Sequence, residues 1–64
     1  MGKDVLIPAE VAEMLGVAEG TLTQWRYRGQ GPPFVRLGGG RGAAVRYLRA
    51  DIDAWLKRHR VDPR

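Results

Sequence analysis

Pro8-Ala9-Glu10-Val11-Ala12-Glu13-Met14-Leu15-Gly16-Val17-Ala18-Glu19-Gly20-Thr21-Leu22-Thr23-Gln24-Trp25-Arg26-Tyr27-Arg28-Gly29 carries two helical patterns with only a tight turn between them. In the first, Val11, Ala12 and Leu15 recur at i, i+1 and i+4, which sets them on one apolar stripe. Pro8 suits the first helical position, where its missing N–H costs nothing. Glu10 and Glu13 are expected near the positive end of the helix dipole. Gly16 then stops the helix, most simply as a left-handed cap. Only Val17-Ala18 precede the next run, Glu19 to Arg28, whose buried face is set by Leu22 and Trp25 at i, i+3. Gly29 can end it, and Gly31-Pro32-Pro33 forbids continuation. Two short helices across a glycine turn predict a helix-turn-helix.

Downstream, Phe34-Val35-Arg36-Leu37 and Ala44-Val45-Arg46-Tyr47-Leu48 are rich in aromatic and β-branched residues and read as strands. Gly38-Gly39-Gly40-Arg41-Gly42 between them makes a flexible hairpin tip. A third helix is predicted from about Ala50 to Arg60, with Ile52, Trp55 and Leu56 on its apolar face. Asp51 and Asp53 are expected in its first turn, and Lys57, Arg58, His59 and Arg60 in its last, a polarity that suits the dipole. Residues 1–6 read as a short lead-in and Val61 to Arg64 as a frayed tail. The expected fold is mainly α with a small β-hairpin. It is a winged helix-turn-helix, one domain over residues 1–64 with a core from about 6 to 60.

Composition narrows the chemistry. The chain has 64 residues, 11 Lys+Arg, 7 Asp+Glu, no cysteine and a formal charge of +4. Zero cysteines remove disulfides, thiolate zinc sites and Cys nucleophiles together, and point to a reducing, cytoplasmic setting. The lone His59 builds no histidine metal site. No apolar stretch approaches the ~18 residues that span a bilayer, and the three apolar residues Val5-Leu6-Ile7 do not make a signal peptide. The glycine-rich tip lacks the Gly-Lys-Ser/Thr ending of a phosphate loop. Asp51 and Asp53, two apart on a helix, face different ways and do not form a catalytic pair. With no nucleophile–base pair, no catalytic residues, cofactor, metal or small-molecule ligand are expected. Nine Arg against two Lys point toward a polyanion, because Arg suits planar phosphate and base contacts. The same charge also serves solubility alone, so its placement decides between the two.

The run from Pro8 to Val17 resembles the small winged helix-turn-helix proteins of the excisionase and MerR-related (AlpA-like) class. So do Thr21-Leu22-Thr23-Gln24-Trp25-Arg26, Gly29-Gln30-Gly31-Pro32-Pro33-Phe34, Arg46-Tyr47 and Asp51-Ile52-Asp53-Ala54-Trp55-Leu56. The likeness covers about residues 6–57. It departs at two helix starts, where Ile7 and Ala18 stand in place of a capping Ser or Thr. The resemblance implies double-stranded DNA as partner, with the second helix in the major groove and the hairpin tip in the adjacent minor groove or on the backbone.

The residues agree with that expectation. With Leu22 and Trp25 buried, the opposite face carries Gly20, Thr23, Gln24, Tyr27 and Arg28, flanked by Thr21 and Arg26. Gln24 can bond adenine N6 and N7, and Arg28 guanine O6 and N7. Thr21, Thr23 and Tyr27 can donate to phosphates, while Gly20 lets the helix start approach the backbone closely. The Tyr27 ring could instead pack on the wing. Strand alternation turns Arg36 and Arg46 to one face of the hairpin, where two cations repel unless an anion sits nearby. For Arg46 an internal salt bridge to Asp51 or Asp53 is an equal alternative to a phosphate. Arg41 has no evident internal partner and reads as a groove or phosphate contact. Trp25 and Trp55 lie on the apolar stripes and read as core rather than base-stacking platforms.

Three roles follow. The resemblance implies a recombination directionality factor, which binds repeated sites head to tail and biases an integrase toward excision, or else a small transcription regulator. A protein-interaction or antitoxin-like module is the alternative outside DNA binding, and it would need spare exposed apolar surface. No sensor segment or long dimerisation helix is read after the hairpin, so signal-responsive behaviour is not expected. The excisionase-like role is preferred.

Overall fold

Both glycine stops are helix ends in the computed structural model, which describes residues 3–63. Helix α1 spans Pro8–Leu15 and closes on Gly16 at φ 69°, and α2 spans Glu19–Arg28 and closes on Gly29 at φ 68°. Those left-handed residues turn their N–H groups back to the last-turn carbonyls, Ala12 and Glu13 in α1 and Trp25 and Arg26 in α2. Met1, Gly2 and Arg64, read as parts of the lead-in and tail, lie outside the described residues. Residues 61–63 carry no regular structure.

The hairpin forms as expected, from β2 at Val35–Leu37 and β3 at Ala44–Leu48, but it is not alone. A strand in the lead-in, β1 at Val5–Leu6, pairs antiparallel with the other edge of β3, giving the order β1-β3-β2. Val5 lies opposite Leu48 and Leu6 opposite Tyr47, and the Arg49 N–H donates to the Asp4 carbonyl at 2.9 Å. The lead-in therefore ties the start of the chain to the strand that precedes α3.

Helix α3 spans Arg49–Arg58, one residue earlier at its start and two at its end than the sequence suggests. Asp51 alone is acidic in its first turn, so Asp53 falls in the second, beyond the reach of the terminal dipole. The same correction applies in α1, where Glu10 but not Glu13 is in the first turn. His59 ends α3. Its ring stacks on Trp55 at 4.3 Å between centroids, and its Nδ1 lies 2.8 Å from the Trp55 carbonyl.

Leu6, Val11, Ala12, Leu22, Tyr47 and Ile52 form the buried core, one or two residues from each of β1, α1, α2, β3 and α3. Full burial of a side chain such as Leu22 or Ile52 is worth about 1.5–3 kcal/mol, so the core locks α2 to the sheet. Leu15, Trp25 and Phe34 pack around it, and the Trp25 and Trp55 rings meet at 5.7 Å. Leu56, expected on the buried face of α3, is 44% exposed. No helix among the described residues is long and apolar enough to cross a membrane.

The two missing caps behave differently. At Ile7 the Glu10 carboxylate accepts the backbone N–H at 3.0 Å, half of a reciprocal cap, and also holds Lys3 at 2.8 Å. The Lys3 ammonium first, and the Ile7 N–H second, hold the Glu10 carboxyl below its ordinary range. Ala18 has cap geometry (φ −75°, ψ 151°) and no such help. Ala18→Ser supplies the absent acceptor and is expected to stabilise the protein by about 1 kcal/mol. In a chain of this size that raises the thermal midpoint by roughly 4–8 °C, a shift that thermal unfolding followed by circular dichroism would read.

Candidate nucleic-acid interface

Helix α2 is anchored by Leu22 and Trp25 and turns the rest of its surface outward. Gly20, Thr23, Gln24, Tyr27 and Arg28 are exposed, and Thr21 is half-buried at the flank. Tyr27, at 89% exposure, does not fold back onto the wing. A rotation of about 100° per residue divides this surface. Thr23, Arg26 and Tyr27 border the β2–β3 hairpin, whereas Gly20, Gln24 and Arg28 do not line the cleft beside it.

Arg26 is the joint between helix and sheet. Its Nη1 donates to the Tyr47 hydroxyl at 2.8 Å and its Nη2 to Thr23 Oγ1 at 3.2 Å. The Thr23 hydroxyl in turn donates to the Glu19 carbonyl at 3.3 Å. The Thr23 hydroxyl, expected to donate to a phosphate, is thus engaged inside the protein. Arg26 still has donors to spare, since a guanidinium carries five N–H groups. Tyr47 was legible as an apolar strand residue, but the use of its hydroxyl depends on a contact 21 positions away in sequence.

The wing separates two arginines that the sequence places together. Arg36 lies opposite Val45, while Arg46 lies opposite Val35. Directly opposed residues share a face, so Arg36 points to the α2 side with Val45 and Tyr47, and Arg46 to the outer side. This corrects the expectation of two cations on one face. Arg46 donates to the Val45 carbonyl at 2.8 Å and forms no salt bridge with Asp51 or Asp53. Arg41 is exposed at the tip. Between α2 and the wing lies an open cleft of about 280 Å³.

Charge is distributed unevenly over this surface. Among the described residues the ion pairs are Lys3–Glu10 and Arg60–Asp62, both away from α2 and the wing. Among the described residues Arg26, Arg28, Arg36, Arg41 and Arg46 have no carboxylate partner. A family model described as a helix-turn-helix domain matches residues 5–60.

The chain belongs to the helix-turn-helix domain family. It is a DNA-binding helix-turn-helix protein of the excisionase and AlpA-like kind, and the family is not one of enzymes. No curated protein and no solved structure matches it. In this helix-turn-helix the second helix is α2. Phe34 also belongs to this surface: the Arg26 and Arg36 guanidinium carbons lie 5.8 and 5.3 Å from the centre of its ring. An aromatic residue just after Pro32-Pro33 was the available signal, read only as the start of a strand.

Proposed function

We propose that α2 enters the major groove while the wing tip follows the adjacent minor groove or backbone. The observation that carries this reading is the set of five arginines on α2 and the hairpin without carboxylate partners among the described residues. Arginines left unneutralised on neighbouring elements attract a polyanion. Gln24 and Arg28 read base edges. Thr21 and Tyr27 donate to phosphates, and Gly20 allows close approach of the helix start. Arg26, Arg36 and Arg46 add charge along the backbone, and Arg41 reaches the groove from the tip.

One helix with two base-reading side chains specifies only a few base pairs. Selectivity in a genome then needs several adjacent copies or a second protein. With the resemblance to excisionases, this supports a recombination directionality factor in the cytoplasm, associated with the nucleoid. A single winged helix-turn-helix domain over residues 1–64 lines up head to tail on repeated sites and biases an integrase toward excision. Footprinting across an attachment region tests the role. Several protected direct repeats, and excision that depends on the protein, are the expected result. A single protected promoter site would assign it instead to transcription regulation.

The wing contact has its own test. Arg41→Ala is expected to weaken binding to cognate and random duplexes alike and to lower the slope of log affinity against log salt by about 1. Fluorescence anisotropy over a salt series reads that slope, and an unchanged value would remove the tip from the interface.

A further inference from the structure

Arg26 and Arg36 come from different elements and converge on the Phe34 ring, and both line the cleft between α2 and the wing. Two cations beside one opening, without a carboxylate partner among the described residues, make a local positive potential. Arg26 is already oriented by the Tyr47 hydroxyl and Thr23, so little side-chain freedom is left to lose on binding. The far lip of the cleft includes Gly40 and Gly42, at φ 71° and 83°, where an added Cβ would meet nothing within 4 Å. That lip is bare backbone, which an oxyanion can approach closely.

The guanidinium fork matches the oxygens of a phosphate, and an intact duplex presents phosphates rather than unstacked bases to an open cleft. We infer that this cleft seats one phosphodiester of the DNA backbone, with Arg26 and Arg36 as its cationic ligands and Tyr47 and Thr23 as positioning residues for Arg26. The inference rests on the DNA-binding reading and deepens it: recognition helix and wing grip the same phosphate, which fixes the depth of α2 in the groove.

The test uses a duplex selected from a random pool, and copies in which each backbone phosphate in turn is replaced by a neutral methylphosphonate. One linkage is expected at which neutralisation weakens the wild type by roughly tenfold. At that same linkage Arg36→Ala and Arg26→Lys should lose little further, because the contact is already gone. The Arg36 side chain makes no hydrogen bond within the protein among the described residues, so Arg36→Ala reports on DNA even if Arg26→Lys disturbs folding. Tyr47→Phe keeps the buried ring and is expected to give an intermediate loss confined to that linkage, which a purely structural role would not produce.

Inorganic phosphate at matched ionic strength should compete no better than chloride. Preferential competition that Arg36→Ala abolishes would reassign the cleft to free phosphate and overturn the backbone contact. Insensitivity at any shared linkage, with salt-dependent duplex binding intact, overturns the cleft inference alone. A wild type without salt-dependent duplex binding overturns the DNA reading with it.

Discussion

Gly31→Ala is expected to destabilise the protein by about 2–5 kcal/mol, well beyond the effect of the same change at nearby Gly29. Two costs combine at Gly31. Its φ of +81° lies in the left-handed region, where an alanine Cβ costs about 1–2 kcal/mol. The added Cβ would also sit 2.7 Å from Trp25 Cε3 and 3.1 Å from Trp25 Cβ. Overpacking of that kind costs roughly 1–3 kcal/mol. The indole has little room to retreat, because it packs against the core and against Trp55. Gly29 has a similar φ of +68° but open space around it, so only the conformational cost applies there. Small domains rarely exceed a few kcal/mol of net stability, so the change at Gly31 approaches the whole of it. Urea unfolding followed by tryptophan fluorescence makes the comparison, and equal destabilisation at both glycines would refute the close packing of the 29–34 loop on α2.

Gln24→Ala is expected to cost about 1–3 kcal/mol at the cognate site, or roughly 5- to 150-fold in affinity. Gln24 is exposed on α2 and does not line the cleft beside the wing. It makes no hydrogen bond to another side chain among the described residues, and truncation leaves the core intact. The loss should therefore appear on cognate DNA and largely vanish on random duplex, because phosphate contacts are untouched. Competition binding with both duplexes reads the difference. Equal losses on the two would take Gln24 out of base recognition.

The contrast between these two positions shows what the sequence made legible. Gly16 and Gly29 ended their helices where periodicity and turn chemistry placed them, because both signals are local. Strand β1 carries no sequence signal, since two residues, Val5-Leu6, cannot display an alternating pattern. That strand exists because Leu6 is buried opposite Tyr47, a partner 41 positions later. The facing of Arg36 and Arg46 was misread for a related reason. Each strand was read correctly on its own, but the register across the hairpin, Arg36 with Val45 and Arg46 with Val35, decides which side chains share a face. The exposed face of α2 was legible from Leu22 and Trp25 alone. The Tyr47–Arg26–Thr23 chain was not, because hydrogen bonds between elements have no sequence period.

The central claim is that the arginines of α2 and the wing hold duplex DNA by its phosphates, and salt tests it most directly. Anisotropy titrations of the wild type against duplex DNA from 50 to 200 mM salt give the slope of log affinity against log salt. Three neutralised phosphates, one shared by Arg26 and Arg36 and one each for Arg41 and Arg46, predict a slope of about −2.7 and a loss of roughly 40-fold across that range. A slope near zero would mean that these arginines do not meet the backbone, and would contradict the account.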